Sequence, residues 1–177
     1  HVRPEEALRE LTAQIERARA AGIRLTHLDT HMGTLFLTPE LLQVYLELSR
    51  RYALPVLLPR EQIASQAPQL LPLLEQQALL IDRVVMAWPE VLPEGVPTPE
   101  FYERVLRQLE PGVTELIVHL AHDTPEMRAV AEDHPDYGAA WRQADADFVR
   151  SARFRQILEE EGIILIQWQD LQPLMRQ

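Results

Sequence analysis

Five short apolar runs, each set between stretches with helical spacing, constrain this chain more than any other feature. They fall at 23–28, 54–58, 83–87, 115–119 and 163–166. Each is too short for a helix, apolar on both faces, and bounded by turn residues, as expected of strands covered on both sides. Between them the apolar residues recur at three- and four-residue spacing. Leu8, Leu11, Ile15 and Ala18 make one such stripe over 4–21, and Phe101, Val105, Leu106 and Leu109 make another. Thr38-Pro39-Glu40 and Thr98-Pro99-Glu100 carry the same helix-opening signature: a capping hydroxyl, proline in the first turn, then an acid at the positive end of the dipole. Further helices are expected over 70–80, 139–161 and 168–175, with Gly162 as the stop of the long one.

Helix and strand therefore alternate from end to end. That predicts an α/β fold, with parallel strands joined by right-handed crossovers. Five strands suit an open sheet or part of a β/α barrel. At 177 residues the chain is expected to form a single domain over 1–177. A helix leads the pattern, as expected of a chain whose first elements lie upstream. The stretches 89–97, rich in proline, and 120–138, rich in His, Asp, Pro and Glu, read as loops.

In such folds chemistry gathers where strands end. The first strand runs into His27-Leu28-Asp29-Thr30-His31-Met32-Gly33-Thr34. In an extended chain His27, Asp29 and His31 share a face. Imidazole and carboxylate are natural ligands of zinc and similar cations, and an aspartate so placed can also orient a ligating histidine. The spacing is short for three ligands on one ion, so one or two are expected to bind. The alternative is that His27 is a core residue and Asp29 a turn residue. At the same end of the sheet His119 closes the fourth strand, and His122-Asp123 follow. A histidine there suits proton transfer near neutral pH, or is merely hydrogen-bonded structure. His134 reads as exposed. Trp88 and Trp168 can stack on sugar rings or rim the core. Arg142 and Asp145 lie within pairing reach on one helix. The acidic run Glu159-Glu160-Glu161 reads as a solvated helix end, unfavourably placed for the dipole.

Composition removes several classes of function. A net charge of −10 is wrong for a phosphate backbone or an anionic membrane surface. No run approaches the roughly 18 apolar residues of a membrane span. The absence of cysteine excludes disulfides, thiolate nucleophiles and cysteine-based zinc sites, and fits a cytoplasmic location. There is no glycine-rich phosphate loop and no G-x-S-x-G elbow. All basic residues are arginine and asparagine is absent, which suits either a GC-rich genome or a thermophilic source.

Thr26-His27-Leu28-Asp29-Thr30-His31 resembles the T-H-x-D-S-H segment of the YdjC-like carbohydrate deacetylases, the family that includes chitooligosaccharide deacetylase. Residues 115–119 resemble that family's histidine-ending strand. Residues 137–145 resemble the helix with its R-x-x-[ED] pair, and 162–171 its last strand and closing turn. The resemblance implies a distorted, TIM-like β/α barrel, here partial, and hydrolysis of an N-acetyl group on an amino sugar or chito-oligosaccharide. It implies a divalent metal, zinc or magnesium, with His31 as ligand and Asp29 as second support or weak ligand. The other ligands belong to an N-A-D-D-F-G segment and a strand that have no counterpart in this chain, so the chain alone is expected to be inactive. His119 is the implied general acid, although it is followed by Leu-Ala where many members have Pro-Gly. Trp88, Arg142 and Asp145 are the candidate substrate contacts. The partner is a small carbohydrate, with no nucleic acid and no membrane; self-association through an open sheet edge is also expected. Two alternatives stand beside this reading: a non-catalytic α/β module that binds a sugar or partner through the same crevice, and a metal-independent barrel enzyme using His119.

Overall fold

The computed structural model describes residues 3–88, 92, 97–133 and 136–175. His134 and most of the 89–97 loop lie outside the described residues. The fold is α/β, mostly helical with a small parallel sheet. Its contacts gather into two compact units, His1–Asp82 with Ile166–Gln177, and Arg83–Leu165.

The first unit is built on α1 (Pro4–Ala20) and α2 (Pro39–Tyr52). Thr38 caps α2, its hydroxyl accepting from the Leu41 amide at 3.3 Å. Ile15 of α1 packs with Val44 and Leu48 of α2. The other face of α2 buries Tyr45 and Leu46 against Val56, Leu58, Leu74 and Leu80. The short helices α3 (Arg60–Gln66) and α4 (Leu71–Gln77) close this core; α4 is shorter than the helix expected over 70–80.

The expected strands 23–28 and 54–58 shrink here to one parallel bridge, Leu28 to Val56, and a second bridge joins Pro59 to Ile81 just beyond the expected runs. Pro55 and Pro59 are the local cause, since neither has an N–H to extend a ladder. The Leu28 amide still reaches the Pro55 carbonyl at 2.9 Å, and the Tyr45 hydroxyl donates to the Leu28 carbonyl at 2.8 Å.

The second unit holds the sheet. Strand β1 (Arg83–Met86) pairs in parallel with β2 (Thr114–Ile117), from Arg83 opposite Thr114 to Met86 opposite Ile117. Between them runs α5 (Pro99–Arg107), capped by Thr98. After β2 come α6 (Pro125–Val130), α7 (Ala139–Arg150) and α8 (Ala152–Glu161). Tyr102, Leu106, Phe148 and Ile157 form the core of α5, α7 and α8.

The long helix expected over 139–161 is broken at Ser151, whose hydroxyl caps α8 by accepting from the Phe154 amide at 3.0 Å. The acidic run at the end of α8 is not simply solvated. Arg107 of α5 donates to Glu160 at 2.5 Å and to Glu161, while also holding Glu103 at 3.0 Å. These exposed pairs add little energy singly, but they tie α5 to α8.

The expected fifth strand, 163–166, forms no strand and carries no ladder among the described residues, and Ile164 is 82% exposed. The closing helix is α9 (Trp168–Leu171), opened by a reciprocal cap between Gln167 and Asp170. Among the described residues no helix is long and apolar enough to cross a membrane.

Candidate functional site

In the first unit, the His27–His31 segment is pinned by Thr30, the buried member of the string. The Thr30 hydroxyl accepts from the Leu35 amide at 2.9 Å, and its carbonyl accepts from Gly33 at 2.8 Å. Residues His31–Phe36 coil into a tight 3₁₀ turn in which Met32 (φ 55°) and Gly33 (φ 67°) are both left-handed. Left-handed backbone suits glycine and is costly for methionine. The turn ends the extended run at His31, and among the described residues His27, Asp29 and His31 do not come together as a three-ligand group.

His27 turns to structure. Its ring stacks on Trp168 at 4.7 Å, nearly parallel at 9°, and its Nδ1 lies 2.9 Å from the Thr26 hydroxyl. Burial pushes its pKa below the ordinary value, with Asp29 opposing. Trp168 therefore gives a ring face to His27. Asp29 and His31 are both exposed. They are two donors and no more: among the described residues no group of three His, Asp or Glu side chains could hold a metal ion. The residues present do not by themselves fit the expected cation.

The second unit centres on His119. The β2 ladder stops at Ile117, yet the His119 amide is satisfied: it donates to Asp145 Oδ2 at 2.7 Å. Asp145 Oδ1 accepts from the Tyr102 hydroxyl. Asp145 is 0% exposed. Tyr102 is buried too, stacked on Phe148 at 4.8 Å, and its pKa is raised by burial and by the hydrogen bond to Asp145.

The His119 ring lies 4.5 Å from that of Tyr137, which in turn lies 4.5 Å from that of Trp141. Tyr137 is left-handed at φ 58° and is held at both ends. Its hydroxyl donates to the Ala87 carbonyl at 3.2 Å, and its carbonyl accepts from Arg142 Nε at 2.7 Å. The pKa of His119 is lowered, first by burial and then by the positive charge of Arg142; the charge of Asp145 opposes both.

These positions revise the expected substrate contacts. Asp145 is sealed from solvent with both oxygens engaged, so it does not present a carboxylate to a ligand. Arg142 is half-buried and bonds to Tyr137 rather than pairing with Asp145. Trp88, just after β1, is 53% exposed and open to contact. His122 lies on the surface, 3.4 Å from Gln143 Oε1. The sequence reading missed Tyr102 and Tyr137. It also missed that Trp141, Asp145 and Phe148 fall four and three residues apart, on the buried face of one helix.

The chain matches the YdjC-like protein family over residues 1–160. It belongs to the YdjC-like family. Among curated relatives, a carbohydrate deacetylase of Thermus thermophilus is 38% identical over 165 residues, covering 89% of this chain and 57% of that protein. A carbohydrate deacetylase of Brevibacillus brevis is 45% identical over 56 residues, 32% of this chain and 22% of that protein. The YdjC-like chain thus spans little more than half the length of the first of these relatives. Its fold matches a crystal structure from Enterococcus faecalis, of a protein named for cellobiose-phosphate cleavage, with a TM-score of 0.72 and 24% identity. That match covers 96% of this chain and 62% of the other.

Proposed function

We propose that the protein carrying this chain hydrolyses the N-acetyl amide of an amino sugar or chito-oligosaccharide, as a carbohydrate deacetylase of the YdjC-like family. The observation that carries this is the His119 arrangement, set within 165 residues that are 38% identical to a carbohydrate deacetylase. In amide hydrolysis a water oxygen bonds to the carbonyl carbon, the C–N bond breaks, acetate departs, and the amine nitrogen must gain a proton. His119 donates that proton as imidazolium. Burial and Arg142 make the imidazolium a stronger donor than an ordinary histidine, and scarcer at pH 7.

His31 and Asp29 are the exposed donors of the first unit and form one wall of a divalent-metal site, for zinc or magnesium, completed by donors outside the described residues. His31 is the ligand and Asp29 its support. Trp88 offers an exposed aromatic face to a sugar ring, and Arg142 orders the surroundings of His119 through Tyr137. The parallel pairings of both units suit strands of a β/α barrel.

Acetate release from a chito-oligosaccharide by the full-length protein tests this reading. Turnover that disappears with chelator and returns with zinc or magnesium is expected. Sugar binding by calorimetry without any acetate release would replace it with the non-catalytic binding module that the exposure of Trp88 also suits.

A further inference from the structure

We propose that Asp145 is the positioning residue of His119, acting through the His119 main-chain amide and locked in place by the Tyr102 hydroxyl. This rests on the reading of His119 as the proton donor and deepens it. No metal, sugar or missing segment enters the geometry, which lies wholly within the second unit.

Residue 145 faces the core beside Trp141 and Phe148, a setting whose ordinary occupant is apolar. A carboxylate buried there is expensive unless its oxygens are all used. Both are used, by donors from two other segments. Tyr102 comes from α5, and the His119 amide from the exit of β2. The second donor is informative. Past Ile117 the strand has no ladder partner among the described residues; Val118 packs on the Tyr102 core and the Ala121 amide donates to the Arg142 carbonyl at 3.3 Å, with His119 between these two anchors. The 2.7 Å bond to Oδ2 holds the His119 backbone itself between them, and with it the point where the ring emerges. Tyr137 then meets that ring at 4.5 Å.

The carboxylate has a second effect on the ring. The charged side chains acting on His119 are Arg142 and Asp145, both on α7; Tyr137 packs on it from the turn before that helix and Tyr102 stands behind Asp145. Asp145 is the one that favours imidazolium. Position and charge thus come from the same group.

Asn at 145 separates the two effects. Its carbonyl oxygen can accept from the His119 amide while its NH₂ donates to the Tyr102 oxygen, so the shape survives and the charge does not. The experiment uses the full-length protein with ¹³C-labelled histidine, following the His119 ring by NMR titration and its amide by hydrogen exchange. In Asp145→Asn the ring is expected to titrate at lower pH, and kcat to fall by about tenfold or more with KM within about twofold. In Asp145→Ala the His119 amide is expected to exchange at least about tenfold faster, while the Leu116 and Ile117 amides change little. If the alanine variant does not fold, Tyr102→Phe, which unlocks Oδ1 but keeps the ring, is expected to speed the His119 amide in the same selective way. An unchanged titration in Asp145→Asn overturns the proposal. So does a rise in exchange shared equally by residues 116, 117 and 119, which is what a merely structural carboxylate would give. A wild-type protein that releases no acetate would overturn the deacetylase reading, and the two NMR results would still decide the role of Asp145.

Discussion

The two histidine segments of this chain are built in opposite ways. His31 stands exposed on a tight turn, with its backbone pinned by Thr30 and its ring open. His119 is half-buried, with its backbone held by a sealed carboxylate and its ring packed on Tyr137. A ligand histidine needs an open nitrogen and a fixed backbone, whereas a proton donor needs a tuned environment. The difference is what the proposed function rests on in giving the two residues different tasks.

The largest expected contrast is in stability. Asp145→Ala leaves the Tyr102 hydroxyl and the His119 amide without their acceptor, at about 1–3 kcal/mol each. Asp29→Ala on the exposed segment is expected to stay within about 0.5 kcal/mol. Urea denaturation checks both, and comparable losses would break the comparison.

A smaller effect is expected on the turn. Gly33 at φ 67° has Phe36 Cδ2 3.4 Å from where a Cβ would lie. Gly33→Ala should cost about 1–2 kcal/mol of backbone strain, and Met32→Gly should recover up to about 1 kcal/mol. The same urea titrations read this, and a Met32→Gly variant that is less stable than the parent would deny that the turn is strained.

Charge provides a finer test. Arg142→Gln removes a charge that holds His119 down, so the fall of kcat/KM with rising pH should move to higher pH. A limb that does not move would separate His119 from the rate.

The smallest effect is on stability against pH. His27 and His119 both have lowered pKa values, so the unfolded chain takes up protons first as pH falls. Stability should be full above about 6.5, the unfolded histidine value, and decline as pH drops through the folded values. Thermal melts between pH 8 and pH 5 follow it, and His119→Gln should flatten part of the decline.

The same contrast explains what could be read from the sequence. Helices with capping signatures were legible, because Thr38 and Thr98 act locally. A third copy of that signature, Thr124-Pro125-Glu126, opens α6 inside a stretch that reads as loop, and Thr124 caps it at 3.2 Å. The strands were only half legible. The apolar runs at 83–87 and 115–119 overlap the strands 83–86 and 114–117, but Pro55, Pro59 and the absence of a neighbour along 163–166 leave the other runs without ladders among the described residues. At the site, residue types singled out His31 and His119 as candidates but said nothing of their settings. The Tyr102–Asp145 bond joins residues 43 apart, and no local pattern encodes it. The helical spacing of Trp141, Asp145 and Phe148 could have marked Asp145 as buried, and so as a holder of other residues rather than a substrate contact.

The division of labour between the two histidines is tested most directly by bound metal and acetate release, measured on the same preparations of full-length His31→Ala and His119→Ala. We expect His31→Ala to lose both metal and turnover. We expect His119→Ala to keep its metal and lose about 10²–10⁴-fold in kcat, the usual range for a removed general acid. Wild-type turnover in His119→Ala, or metal retained in His31→Ala, would contradict the assignment.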